Sequence, residues 1–146
     1  MPSVEDHREA IRALARLSRL VERSTGDLSL AHYRVLAAVA DGDERASRVA
    51  ARLALGKPTI SASVDALCRR GLLVRDSDTC DQRAVALCLT EAGKAALDEV
   101  ETNLGTRFSA LLGHTGDPAA VLSALGQLSL ALDAMAEEHL ASRNPR

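Results

Sequence analysis

The chain predicts a mainly helical α+β fold, a winged helix-turn-helix carried on helices that dimerise. Three observations point there. Two short helical segments, Ser47–Ala54 and a second ending at Arg70, are separated by a break at Gly56, and Pro58 falls in the first turn of the second, where a missing N–H costs little. Two strand-like runs follow, Leu72–Asp76 and Ala84–Leu89; in the latter Val85, Leu87 and Leu89 alternate with Ala84, Ala86 and Cys88. Flanking this block, residues 1–40 and 91–146 carry long apolar patterns of helical period.

Taken in order, Val4–Ser24 reads as a helix with an apolar stripe of Ile11, Leu14, Leu17 and Val21. Arg8, Arg12, Arg16, Arg19 and Arg23 recur on another face, expected to be solvated and paired with Glu5, Glu9 and Glu22 rather than to touch DNA. Gly26-Asp27 breaks it. Ser29 is a good N-cap for a helix reaching Ala40, with Leu30, Tyr33, Leu36, Ala37 and Ala40 as its expected buried face. Asp41–Glu44 turns into the helix-turn-helix. There Ile60, Val64 and Leu67 face a core, and Gly71 sits where a left-handed C-cap belongs. Thr90 caps a helix to Gly113. Asp117 and Pro118 open a last one to about Ala141, apolar on more than one side, which therefore needs two neighbours: the first helix of its own chain and a second subunit. The expected division is a dimerisation region, 1–40 and 91–146, around a DNA-binding lobe, 41–90.

The run Leu67-Cys68-Arg69-Arg70-Gly71-Leu72-Leu73-Val74-Arg75, the wing Asp81-Gln82-Arg83 and the closing Leu89-Thr90-Glu91-Ala92-Gly93 resemble the MarR family of bacterial transcription regulators. Leu28–Leu36 is similar to that family's second helix. The resemblance implies a homodimer on a pseudo-palindromic duplex operator, most often a repressor, with a small aromatic or amphipathic effector between dimer helices and lobe. It also implies that Arg83 enters the minor groove while Asp81 holds its guanidinium. Family members often carry arginine where Ala62 and Ala66 stand here.

The second helix of the pair is the expected reader of DNA. An α-helix fits the major groove, and its N-terminal side chains reach base edges. Lys57, Thr59 and Ser61 lie at that end, and Pro58, Ala62, Asp65, Ala66 and Arg69 on the face opposite Ile60. Net charge is −2 overall, but residues 44–90 hold eight basic and five acidic side chains, against four and eight in residues 91–146. Positive charge thus gathers on the lobe, Arg48 and Arg52 included. For the effector, His32, Tyr33 and Arg34 are the candidate polar anchors, between the inner faces of Leu28–Ala40 and Ala92–Leu104; the alternative is that those faces pack on each other.

Other chemistry finds little support. No phosphate loop, His-Glu-x-x-His or Gly-x-Ser-x-Gly is present, and His7, His32, His114 and His139 are scattered, so no enzyme, metal or cofactor is expected. Three cysteines without Cys-x-x-Cys spacing disfavour a disulfide framework. Cys68 and Cys88 read as small core hydrophobes. Cys80, at the wing tip, leaves a thiol-responsive regulator as an alternative, beside a winged-helix protein with no ligand input. No run looks apolar enough to span a bilayer and the start lacks a signal core, so a cytoplasmic protein is expected.

Overall fold

The computed structural model describes Met1, residues 3–76 and residues 85–143. Among them, six helices and a hairpin follow in order: α1 (Val4–Glu22), α2 (Leu30–Ala40), α3 (Ala46–Arg52), α4 (Lys57–Arg69), β1 (Leu73–Asp76), β2 (Ala86–Leu89), α5 (Glu91–Leu112) and α6 (Pro118–Arg143). The expected fold class is the one found. The helix starts follow local chemistry: Ser29 Oγ accepts from His32 N at 3.1 Å, Thr90 Oγ1 from Gly93 N at 3.0 Å, and Asp117 Oδ1 from Ala120 N at 3.0 Å. At α1 Ser3 and Asp6 form a reciprocal capping box, which lowers the Asp6 pKa by stabilising the carboxylate.

β1 and β2 pair antiparallel, with Leu73 opposite Leu89 and Asp76 opposite Ala86. A bond from Leu87 N to Glu44 O, 2.6 Å, lays the α2–α3 connection along the free edge of β2. The expected alternation of β2 is only partly visible in its burial. Leu87 is buried, but so is its neighbour Ala86, and Val85 is already exposed. The packing against α2 covers a short side chain on either side of so narrow a ribbon.

The helix-turn-helix departs from expectation at its turn. The left-handed residue is Ala54, with φ 51°, whereas Gly56 has ordinary φ −67° and serves as the N-cap of α4. Leu55 N bonds back to Ala50 O at 3.0 Å, which closes the turn and holds Ala54 in that conformation. Gly71 takes φ 72° after α4, where a residue without Cβ is favoured.

The core sits between α2, α3, α4, the hairpin and the start of α5, with Leu36, Ile60, Leu67 and Leu73 almost wholly enclosed. On α2 the buried residues are Val35, Leu36, Ala38 and Val39; the expected face was rotated, since Ala40 is exposed and Leu30 and Tyr33 only half covered. The α2 helix is wedged between α4 and α5, so it is covered over a wider arc than one stripe.

α1 and α6 contain no buried residue. Val4, Ile11 and Leu14 on α1 and Leu122, Leu128, Leu130, Leu132 and Met135 on α6 are exposed. The own-chain partner of α6 is chiefly α3, not α1 as expected. That contact is ionic as well as apolar: Arg52 Nε lies 3.4 Å from Asp133 Oδ1, and Arg48 pairs with Glu137. A second expectation also changes. By length and composition α6 is apolar enough to cross a membrane, with mean hydropathy 1.5 over its best window. The scattered Asp133, Glu137 and Glu138 hid this when only unbroken apolar runs were sought, and the two of them that pair with lobe arginines tie α6 to the lobe.

Gly93 permits a close approach of two backbone segments. A Cβ there would collide with the carbonyl oxygen of Leu72, because α5 starts directly against the exit of α4. Gly93→Ala should therefore lower unfolding free energy by about 1–3 kcal/mol. Gly105→Ala, on the same helix with open space around it, should raise it by about 0.5–1 kcal/mol. Denaturant titration of the two variants checks both signs.

Candidate nucleic-acid interface

α4 turns Ile60, Ser63, Val64 and Leu67 into the core, which fixes what it shows outward. Lys57, Pro58, Thr59, Ser61, Ala62 and Arg69 are exposed, and Asp65 and Ala66 half-exposed. The N-terminal end of α4, capped only by the backbone of Gly56, presents free N–H groups beside two hydroxyls and an ammonium. Such an end favours phosphate. Neither Ala62 nor Ala66 can make the bidentate contact to guanine that an arginine would.

Asp65 has a defined structural partner. Arg75, on β1, donates from Nη2 to Asp65 Oδ1 at 2.6 Å, and that bond raises the arginine's pKa. The pair cross-links the recognition helix to the base of the wing, ten residues apart in sequence, so sequence spacing carried no signal of it. Arg70, just past α4, reaches the carbonyl of Asp27 at 3.4 Å.

The lobe's charge is less available than a residue count suggests. Asp43, nearly buried, accepts from Arg48 at 3.5 Å and from Arg52 at 3.2 Å, and Arg52 also binds Asp41 at 2.9 Å. Burial opposes the charge on Arg52, yet the bond to Asp43 and the field of Asp133 and Asp41 hold its pKa up. Both arginines therefore face α6. Among the described residues, Arg45, Lys57, Arg69 and Arg70 remain as lobe cations outside any ion pair, Arg70 reaching only the carbonyl of Asp27. On α1, Arg8–Glu5 at 3.1 Å and Arg19–Glu22 at 2.8 Å agree with a solvated, paired face. Asp81, Arg83 and Cys80 lie outside the described residues; Cys68 and Cys88 are free thiols, both half-buried, and Cys68 packs against the core.

The three candidate anchors of an effector are on α2 but differ in setting. Arg34 is exposed. Tyr33 packs against the core, and burial followed by the fields of Glu101 and Asp41 raises its pKa. His32 is half-covered, and burial, then the charge of Arg70, lowers its pKa. The inner faces of α2 and α5 meet through Tyr33, Leu36, Ala96, Leu97, Val100 and Leu104 in one apolar cluster. Two cavities open elsewhere, between α3 and α6: one of about 270 Å³ among Asp41, Asp43, Arg48, Arg52, Asp133 and Glu137, and one of about 960 Å³ beside the α3–α4 turn.

This arrangement is a winged helix-turn-helix fold. Residues 26–84 match the MarR family model, and the chain has the MarR-family regulator fold. It is similar to MarR of E. coli without ligand, at 20% identity over 89% of this chain and 98% of that one, with a TM-score of 0.73. It is likewise similar to BldR of Sulfolobus solfataricus (22%; 88% and 97%; 0.71). CouR of Rhodococcus jostii RHA1, in a structure bound to p-coumaroyl-CoA, gives 24%, 93% and 96%, and 0.71. No curated protein matches the sequence.

His32 offers a test of this electrostatic picture. Its folded pKa lies below 6.5, so the unfolded chain takes up its proton first as pH falls. The stability that neutral His32 contributes should be complete above pH 6.5 and be lost as pH drops through and below that value. His32→Gln should remove this part of the acid sensitivity, read as a smaller difference between melting temperatures at pH 7.5 and pH 5.5.

Proposed function

We propose that the chain is a homodimeric, cytoplasmic repressor that binds a pseudo-palindromic operator and is released by a small amphipathic effector. The observation that carries DNA binding is the exposed, backbone-capped start of α4 with Lys57, Thr59 and Ser61, held out by the burial of Ile60, Val64 and Leu67. Thr59 and Ser61 contact base edges, Ala62 meets a thymine methyl, and Lys57 and Arg69 hold phosphates. Arg83, braced by Asp81, follows the minor groove, as in the family. Asp65 acts by steadying Arg75 and not by touching DNA. With few lobe cations free, affinity is moderate and specificity leans on duplex shape.

Dimerisation rests on the uncovered apolar residues of α1 and α6. In a two-fold dimer the recognition helices stand about 34 Å apart, one turn of duplex. Light scattering at micromolar concentration should give twice the chain mass, and Leu128→Asp should shift it to monomer because a carboxylate is costly in an apolar interface. A wild-type monomer overturns the reading.

Selection from a random duplex pool yields the operator and allows a salt titration. The logarithm of affinity should fall linearly with the logarithm of salt, by about 0.9 for each phosphate contact. Arg69→Gln should flatten that slope by about one contact per subunit. Arg48→Gln should leave it unchanged, since Arg48 is held by Asp43 and Glu137. Thr59→Ala should change which sequences are selected more than the slope. A flat response in the wild type rules out backbone-dominated binding. The packing of α2 on α5 favours a second reading, a regulator without ligand input at His32, Tyr33 and Arg34.

A further inference from the structure

Arg75 lies on β1 two residues past Leu73, and side chains two apart on a strand project from the same face. Leu73 is buried on that face, in the core that α4 shares, and Arg75 continues the row outward to meet Asp65 on the outer side of α4. An Asp and an Arg four residues apart are neighbours on a helix surface and can pair. Arg69 stands four residues after Asp65, yet the carboxylate takes Arg75 across the fold instead, at 2.6 Å. Both side chains of the pair stay about half exposed, 45% for Arg75 and 49% for Asp65. A guanidinium carries five N–H donors in a rigid fork, and the bond from Nη2 to Oδ1 uses one of them. A helix in the major groove and a hairpin at the adjacent minor groove are separated by one sugar–phosphate strand. A side chain that bridges α4 and the base of the hairpin faces that strand. There a lone carboxylate would repel phosphate, and a guanidinium beside it can offer its remaining donors.

We propose that Arg75 binds a phosphate of the strand between the two grooves and that Asp65 is the positioning residue that aims it. The assignment rests on the DNA-binding reading and adds a contact to those of Lys57 and Arg69. A long side chain held in one geometry before the duplex arrives loses less freedom on making contact. The pair is neutral as a whole, so counting free cations overlooks it. It also ties the phosphate contact to the separation of helix and hairpin, and through that to the groove geometry of the duplex.

The test uses the full chain and its selected operator, with each backbone phosphate of one half-site replaced in turn by an uncharged methylphosphonate. In the wild type, replacement at a phosphate between the two grooves should weaken binding by about tenfold. At that position Arg75→Gln should show no further loss, because the contact is already gone. Arg75→Lys, a point charge without the fork, should keep only part of the wild-type affinity. Asp65→Asn should lower affinity while Arg75 is present and raise it in the Arg75→Gln background, where the unpaired carboxylate faces phosphate. A merely structural pair gives no such reversal of sign. Melting temperatures should move by only a few degrees, since an exposed ion pair contributes little to stability. Methylphosphonate losses of equal size in wild type and Arg75→Gln at every position overturn the phosphate contact. Equal effects of Asp65→Asn in both backgrounds overturn the positioning role. A chain that binds no duplex overturns the DNA-binding reading and this one with it, whereas operator binding with additive losses overturns this one alone.

Discussion

One apolar core holds the described structure together, and it lies wholly within and beside the lobe. Every buried hydrophobic residue falls between Leu28 and Val100. With two aromatic residues in 146, that core is built from Leu, Val, Ile and Ala, which bury less area each and must interdigitate closely. Leu67 and Leu73 set the angle between α4 and the hairpin, and Val49 and Ile60 the angle between α3 and α4. The outward direction of Thr59, Ser61 and Arg69 is a consequence of that packing.

The core explains why α1 and α6 are different in kind. They lie outside it, contain no fully buried residue and leave large apolar side chains in solvent. What α6 does hold is an ionic contact. Asp43 is nearly buried and needs the two arginines beside it, since an uncompensated carboxylate there would be costly. The same arginines reach Asp133 and Glu137. The lobe is thus fastened to α6 by charges that would otherwise look like DNA-binding groups, and any change in the spacing of α3 and α6 must disturb them.

A second junction governs the wing. Thr90 caps α5, and its hydroxyl also donates to Gly71 O at 2.6 Å, while Thr90 N bonds Leu72 O at 3.2 Å and Gly93 lies flat against that carbonyl. Leu-Thr-x-x-Gly is therefore more than a helix start: the hydroxyl and the missing side chain together clamp the exit of the recognition helix to the entry of α5.

Local chemistry was legible in the sequence. Ser29, Thr90, Asp117 and Gly71 mark helix ends through bonds made within three or four residues, so element order and the exposed face of α4 follow from spacing alone. What spacing does not encode is which charge meets which. Asp65 turned out to hold Arg75 and not to stand free on the reading face, Arg48 and Arg52 turned toward α6, and Ala54, not a glycine, took the left-handed position in the turn before α4. The width of the buried arc on α2 and the cleft beside Lys57 likewise depend on where α4, α5 and α6 come to rest. Ion pairs and cavities form between side chains distant in sequence, and only the tertiary packing of the helices decides their distances.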